Sequence, residues 1–324
     1  MAWDYLIKSN LESLREHRLL WHEITQTVKR WTDVDADSRP HIRWPGRTLQ
    51  AGFVADDTII ASMASAAAKN VGSKKCLLWD WTNTRHHPEA IDQLFSTCEN
   101  GDSSATQLPF KSVHNWNAWC PPELKDRLPF RPMIRTQAQL GTEEWTRIRD
   151  SAADVVHYLN EPERQRISPT EAATWWAEQV VPELRLQQGK QLVGPACAND
   201  KAGGDWLAEF MDIVSRQRET VPDLLGVHYY GESVEHAKRY LTSMYEKYGL
   251  PLNVSEMASI SRDGEQVARF TEETSQWMDG QEWIDEYGWF GCMAKCADGF
   301  VSPAAQLMDD KGRFTPLMRR LMEF

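Results

Sequence analysis

From Lys74 onward the chain alternates between short apolar, β-branched runs and amphipathic segments, and no other feature restricts the fold as much. Strands are expected at residues 76–81, 112–116, 129–135, 155–161, 192–196, 224–230, 252–256 and 287–293. Helices are expected among them at 88–98, 142–153, 168–186, 204–218, 233–248 and 264–278, with a last one at 315–322. Their ends carry helix punctuation: Thr142 as an N-cap, Ser168-Pro169-Thr170-Glu171 as a capping box with proline at its first helical position, and Gly249 as a C-cap. Eight strands, most followed by a helix, over about 250 residues predict an α/β fold of the (β/α)8 TIM-barrel type. A doubly wound open sheet is the alternative, but it should show a Gly-rich phosphate loop after an early strand, and the sequence has none. Ahead of the alternation, 2–31 and 58–70 have helical patterning and flank a polar, Pro-containing loop at 33–47; none of this carries a chemical motif. The expected organisation is an N-terminal helical extension, residues 1–73, packed on a (β/α)8 domain, residues 74–324.

Composition narrows the function. Hydrophobic residues make up 41% and charged residues 26%, a globular balance. A formal charge of −11 argues against a nucleic-acid or anionic-membrane partner, since either demands a basic face, and it suits a neutral substrate. No apolar run approaches a membrane span, and the N-terminus lacks the basic and apolar regions of a secretory leader. The six cysteines (Cys76, Cys98, Cys120, Cys197, Cys292 and Cys296) have no metal-ligand spacing, so zinc is not expected, although their even number permits disulfides. No metal or organic cofactor is expected. Fifteen tryptophans are unusual. Some must be core, yet sugar rings present flat C–H faces that pack on aromatic side chains, so tryptophan near strand ends also suits a carbohydrate cleft.

In a (β/α)8 barrel the chemistry sits at the C-terminal ends of the strands. Those ends carry Trp79, Asn115 and Trp116, Arg135, Asn160 and Glu161, Asn199, His228 and Tyr230, Glu256, and Trp289. Pro162 lacks an N–H and biases Glu161 away from helix, which stops the strand with Asn160 and Glu161 on its lip. The run 251–258 delivers Glu256 to the end of a later strand in the same manner. Two carboxyls on strand ends are what general acid–base or glycosidic chemistry needs. A lone strand-end histidine such as His228 reads as an orienting group.

These residues carry a resemblance. Asn160-Glu161-Pro162 with a later strand-end Glu256 looks like the clan A glycoside hydrolases. The run His157-Tyr158-Leu159-Asn160-Glu161-Pro162-Glu163 is similar to glycoside hydrolase family 128, the β-1,3-glucanases that share the catalytic core of the alkali-sensitive linkage proteins. Val227-His228-Tyr229-Tyr230, Tyr248-Gly249-Leu250-Pro251, Ser255-Glu256-Met257-Ala258, Tyr287-Gly288-Trp289-Phe290-Gly291 and Asn115-Trp116 match further family signatures in order, from about Lys74 to the C-terminus. One departure stands out: the family commonly has a tryptophan near the end of strand three, where this chain offers Arg135.

The resemblance implies a retaining β-1,3-glucanase with Glu161 as acid/base and Glu256 as nucleophile. Tyr230 would hold Glu256, and Asn160 would contact the sugar 2-hydroxyl. Trp79, Asn115, Trp116, Asn199, His228 and Trp289 would complete the substrate site. Glu161, crowded by aromatics and near Glu256, is expected to have a raised pKa. The implied partner is a β-1,3-glucan or laminari-oligosaccharide, acted on by a monomer in an extracellular or cell-wall setting. A glucan-binding protein without turnover on the same barrel is the alternative, and a transglycosylase would use the same residues.

Overall fold

The computed structural model describes residues 73–96, 108–296 and 299–323. The helices expected at 2–31 and 58–70, and the packing of the extension 1–73, lie outside the described residues.

Among the described residues nine strands are formed: β1 (Lys75–Leu78), β2 (Ser112–His114), β3 (Phe130–Arg131), β4 (Met133–Ile134), β5 (Val155–Tyr158), β6 (Gln191–Val193), β7 (Leu225–Gly231), β8 (Leu252–Ser259) and β9 (Ile284–Trp289). They make a six-stranded sheet, ordered β3-β2-β1-β9-β8-β7, and a three-stranded sheet, ordered β4-β5-β6. Every strand pairing is parallel, as expected when helical crossovers separate successive strands. The third expected strand is split into β3 and β4 because Pro132 between them has no N–H for the ladder. Its carbonyl still accepts from the His157 N–H at 2.9 Å. Isolated parallel bridges link β6 to the residue before β7, Val193 to Leu224, and the segment after β6 to β7, Cys197 to Val227.

The helices are α1 (Trp81–His86), α2 (Gln93–Ser96), α3 (Glu143–Asp150), α4 (Pro169–Trp175), α5 (Lys201–Val214), α6 (Val234–Tyr248), α7 (Gly264–Asp279) and α8 (Pro316–Glu323). Beyond α4 the chain continues as a π-helical stretch, Trp176–Leu186, with Pro182 inside it. The expected caps form. Thr142 accepts from the Glu144 N–H, Ser168 and Glu171 cap reciprocally, and Gly249 takes φ +66°. Several boundaries move. The first strand stops at Leu78, because Asp80 caps α1 through the Thr82 N–H and turns the chain before Trp81. Helix α5 begins at Lys201 rather than 204, because Asp200 caps it through Gly203. A Cβ on Gly203 would lie 2.1 Å from the Ala198 carbonyl oxygen, so glycine there permits that close approach.

Strand β8 runs past Glu256 to Ser259 and contains one residue more than β7 beside it. Val254 pairs with Val227, but the next pair is Glu256 with His228, which passes over Ser255. The ladder to β9 is irregular at the same place, between Val254 and Met257. Leu252 and Val254 belong to the main apolar core. Strict alternation would send Glu256 to that same face, and the extra residue turns it away.

Two faces of the strands are buried. Leu77 joins the main core, whereas Cys76 and Leu78, alternating with it, join a small cluster with Trp116 and Met133. The small cluster lies among buried polar groups. His114 stacks on His157 at 4.5 Å, and Arg131 pairs with Asp154 and, at 3.4 Å, with Glu286. Burial drives His114 down to about 4 and His157 well below the ordinary imidazole value, so both rings are neutral. Cys76, Cys120, Cys197 and Cys292 are free thiols. No helix among the described residues is long and apolar enough to cross a membrane.

Candidate active site

The C-terminal ends of the strands open into a cleft of about 770 Å³. Glu256 stands on its floor with a side chain only 9% exposed. Both carboxyl oxygens are held: the Trp116 indole donates to Oε1 at 2.6 Å, and the Tyr230 hydroxyl donates to Oε2 at 2.6 Å. Trp116 reaches this position from a residue with φ +59°, left-handed backbone that a bulky side chain adopts only when its surroundings demand it.

Glu161 lies across the floor on the loop after β5. Leu159 at φ +54° and Glu161 at φ +40° give this loop a sharp reversal. The Glu161 N–H donates to the Ala196 carbonyl at 2.8 Å, which ties the loop to the segment after β6. Backbone strain of this kind collects at functional sites. His228, fully buried on β7, stands between the two carboxyls: Nδ1 is 3.0 Å from Glu161 Oε1 and Nε2 is 3.6 Å from Glu256 Oε1.

Electrostatics reverse one expectation. Burial does push the Glu161 carboxyl up, but the His228 hydrogen bond and charge outweigh it, and the group sits below its usual value. For His228, burial favours the neutral ring, yet Glu256 and then Glu161 hold its proton more strongly, so its pKa is raised. In the free site the proton therefore rests on the imidazole. One donor atom from each of Glu161, His228 and Glu256 lies within 4.8 Å of the others, close enough to hold a cation. A protonated imidazole offers no lone pair to a metal, so this electrostatic arrangement favours an ion-paired triad.

Of the remaining expected residues, Asn160 and Asn199 line the cleft. The Asn160 Oδ1 is buried with no protein donor among the described residues. Asn199 is fixed by a reciprocal pair with the Tyr230 backbone, donating to its carbonyl at 3.1 Å and accepting from its N–H at 3.0 Å. Trp79, Asn115 and Trp289 do not reach the cleft. The buried Trp79 indole donates to Glu123 at 2.7 Å. Asn115 bonds within its own loop, to the Trp119 carbonyl and the Asn117 N–H, and Trp289 bonds to Ser275 and packs edge-on to Phe270. Their neighbours line the cleft instead. Trp81, 37% exposed with the Arg85 guanidinium 4.4 Å from its ring, stands two residues after Trp79, and Phe290 stands one after Trp289. Phe300 adds a further exposed ring against Tyr230. Alternation alone could have suggested Phe290, but no sequence signal singles out Phe300. Arg135 is at the rim, its guanidinium without a partner among the described residues.

Residues 92–320 match the family model described as the glycosyl hydrolase catalytic core. The chain is similar to the crystal structure of a glycoside hydrolase family 128, subgroup VI, exo-β-1,3-glucanase from Aureobasidium namibiae. Identity is 44% over 78% of this chain and 96% of that one, with a TM-score of 0.72. A subgroup V exo-β-1,3-glucanase from Cryptococcus neoformans is 26% identical over 77% of this chain and 98% of its own, with a TM-score of 0.62. A subgroup VII oligosaccharide-binding protein from the same organism shares the fold at 17% identity and a TM-score of 0.57, covering 78% of this chain and 93% of its own. The comparison with curated proteins gives no match.

Proposed function

Because this chain belongs to glycoside hydrolase family 128, we propose that it hydrolyses β-1,3-glucan with retention of configuration, Glu256 acting as nucleophile and Glu161 as acid/base. The observation that carries this reading is the clamped Glu256, gripped by Trp116 and Tyr230, with a Glu161 carboxyl oxygen within 4.8 Å. Retaining enzymes keep their carboxyls about 5 Å apart, whereas inverting ones leave room for a water at roughly 6.5 Å or more.

The first step needs Glu161 protonated. A sugar entering the cleft adds to the desolvation that already pushes this carboxyl up, and so draws the proton from His228 Nδ1 to Glu161 Oε1. Glu256 then attacks the anomeric carbon while Glu161 gives its proton to the departing glycosidic oxygen. In the second step Glu161, now a carboxylate, takes a proton from the water that releases the sugar from Glu256. Asn160 Oδ1, which lacks a protein donor, is placed to accept from a sugar hydroxyl. Trp81 and Phe290 offer apolar faces to flanking rings.

The same reading closes the two sheets into a (β/α)8 barrel. Strands β3 and β4 run on through Pro132, and the bridges Val193–Leu224 and Cys197–Val227 link β6 and the segment after it to β7 and the residue before it. Likeness to two exo-acting enzymes supports release of short products from a chain end. Proton NMR of a fresh laminari-oligosaccharide digest tests both points: the β-anomer of glucose or a short oligosaccharide should appear first. An α-anomer appearing first overturns the nucleophile assignment, and a ladder of mid-length products overturns exo action.

A further inference from the structure

Glu163, two residues past Glu161, plays no direct part in the steps above, yet its side chain is only 5% exposed. Its Oε1 accepts from the Ala198 N–H at 2.9 Å. That bond fastens the segment after β6 to the loop that carries Glu161, beside the bond from the Glu161 N–H to Ala196. The fastened segment holds Asn199, which locks the Tyr230 backbone, and Asp200, which caps α5 and pairs with Arg164. A glutamine could make the Ala198 bond without the desolvation cost of a buried charge. The charge therefore calls for its own explanation, and His228 supplies one, because Glu163 is among the anions that favour its protonated form.

We propose that Glu163 is a positioning residue for the reaction: it clamps the segment after β6 to the Glu161 loop, and its buried charge holds the proton of the His228–Glu161 pair. The groups around it agree with this role. Glu161 and Arg164 lie on its own loop, Cys197 and Asp200 on the segment after β6, His228 on β7 and Tyr240 on α6. Arg164 is the cation facing it, at 3.9 Å, but that guanidinium is shared with Asp200. Removing the Glu163 charge makes both His228 and Glu161 release a proton more readily, so the acid form of the site fails at a lower pH.

This inference rests on Glu161 being the acid/base. Four variants, Glu163→Gln, Glu163→Asp, Glu163→Ala and Glu161→Gln, are assayed from pH 4 to 9 on laminaritetraose and on a dinitrophenyl β-glucoside. Glu163→Gln should keep KM within twofold while the basic limb of kcat/KM on laminaritetraose moves to lower pH. One pH unit above the wild-type optimum, its activity should fall at least threefold relative to wild type. The shift should vanish with dinitrophenolate, a leaving group that needs little acid assistance. Glu163→Asp, which keeps the charge, should retain the wild-type limb, and Glu163→Ala should lose a further tenfold in kcat/KM as the clamp goes. A Glu163→Gln profile superimposable on wild type overturns the charge role, as does an Asp variant that shifts as far as Gln. An Ala variant within twofold of Gln overturns the clamp, and if Ala does not fold, Gln against Asp decides. Full activity of Glu161→Gln on laminaritetraose would instead overturn the acid/base assignment itself, whatever the Glu163 variants do.

Discussion

Replacing His228 with glutamine removes the positive charge between the two carboxyls while leaving a polar group beside Glu161. A carboxyl oxygen of Glu161 then faces one of Glu256 within 4.8 Å without compensation. At the effective dielectric of about 20 that describes protein sites, two unit charges at this distance repel by about 3 kcal/mol. That corresponds to about two pH units of added proton affinity shared by the pair. The side chains are 25% and 9% exposed, so salt at physiological strength screens little of this. Because that repulsion acts only when both carboxyls are ionised, the first ionisation, which forms the nucleophile and sets the acidic limb of kcat/KM, escapes it, and loss of the Glu161 proton on the basic limb should lie about two pH units higher. The assay is initial-rate hydrolysis of laminaritetraose between pH 4 and 9, with circular dichroism at each pH to confirm the fold. Limbs less than about one pH unit apart would refute the argument, because they would mean that the two carboxyls do not feel each other's charge across the site.

Tyr230→Phe removes one of the two 2.6 Å hydrogen bonds to Glu256, a bond to a charged acceptor worth about 1.5–3 kcal/mol; kcat/KM should fall roughly 10- to 100-fold with the melting temperature nearly unchanged. Trp81→Ala should raise KM roughly fivefold, about 1 kcal/mol of lost ring contact, without affecting stability. Trp79→Ala should do the opposite, costing about 3–5 kcal/mol of stability through a core cavity, as read by denaturant unfolding. Glu286→Ala strips the buried Arg131 of its buried partner and should destabilise by about 3–5 kcal/mol in the same assay.

Much of the fold was legible because it is local. Strand and helix periods, the Thr142 and Ser168 caps and the left-handed Gly249 each follow from a few neighbouring residues, and each forms where expected. Glu161 at a strand's lip was equally legible, since Pro162 ends the strand chemically. The ordered set of short motifs was enough to point to the family, because their spacing reflects the whole strand sequence. Boundaries were less so. Whether Trp81 ends a strand or opens a helix depends on one Asp80 side chain choosing the Thr82 N–H.

The sequence by itself determined the class of fold, the pair of carboxyls and the kinship. Tertiary structure decided which aromatic rings meet the substrate, how Glu256 is aimed and where the resting proton lies. Trp81 and Phe290 line the cleft while Trp79 and Trp289 serve the core, a choice made by turns and packing partners far away in the chain. The extra residue at Ser255 that turns Glu256 inward exists only relative to the strands beside it. Glu161 was expected to be held up by burial and by Glu256, but His228, 67 residues away in sequence, lies 3.0 Å from it and reverses the balance. Propensity and capping act over a few residues along the chain, whereas ionisation and side-chain direction answer to whatever lies within a few ångströms in space.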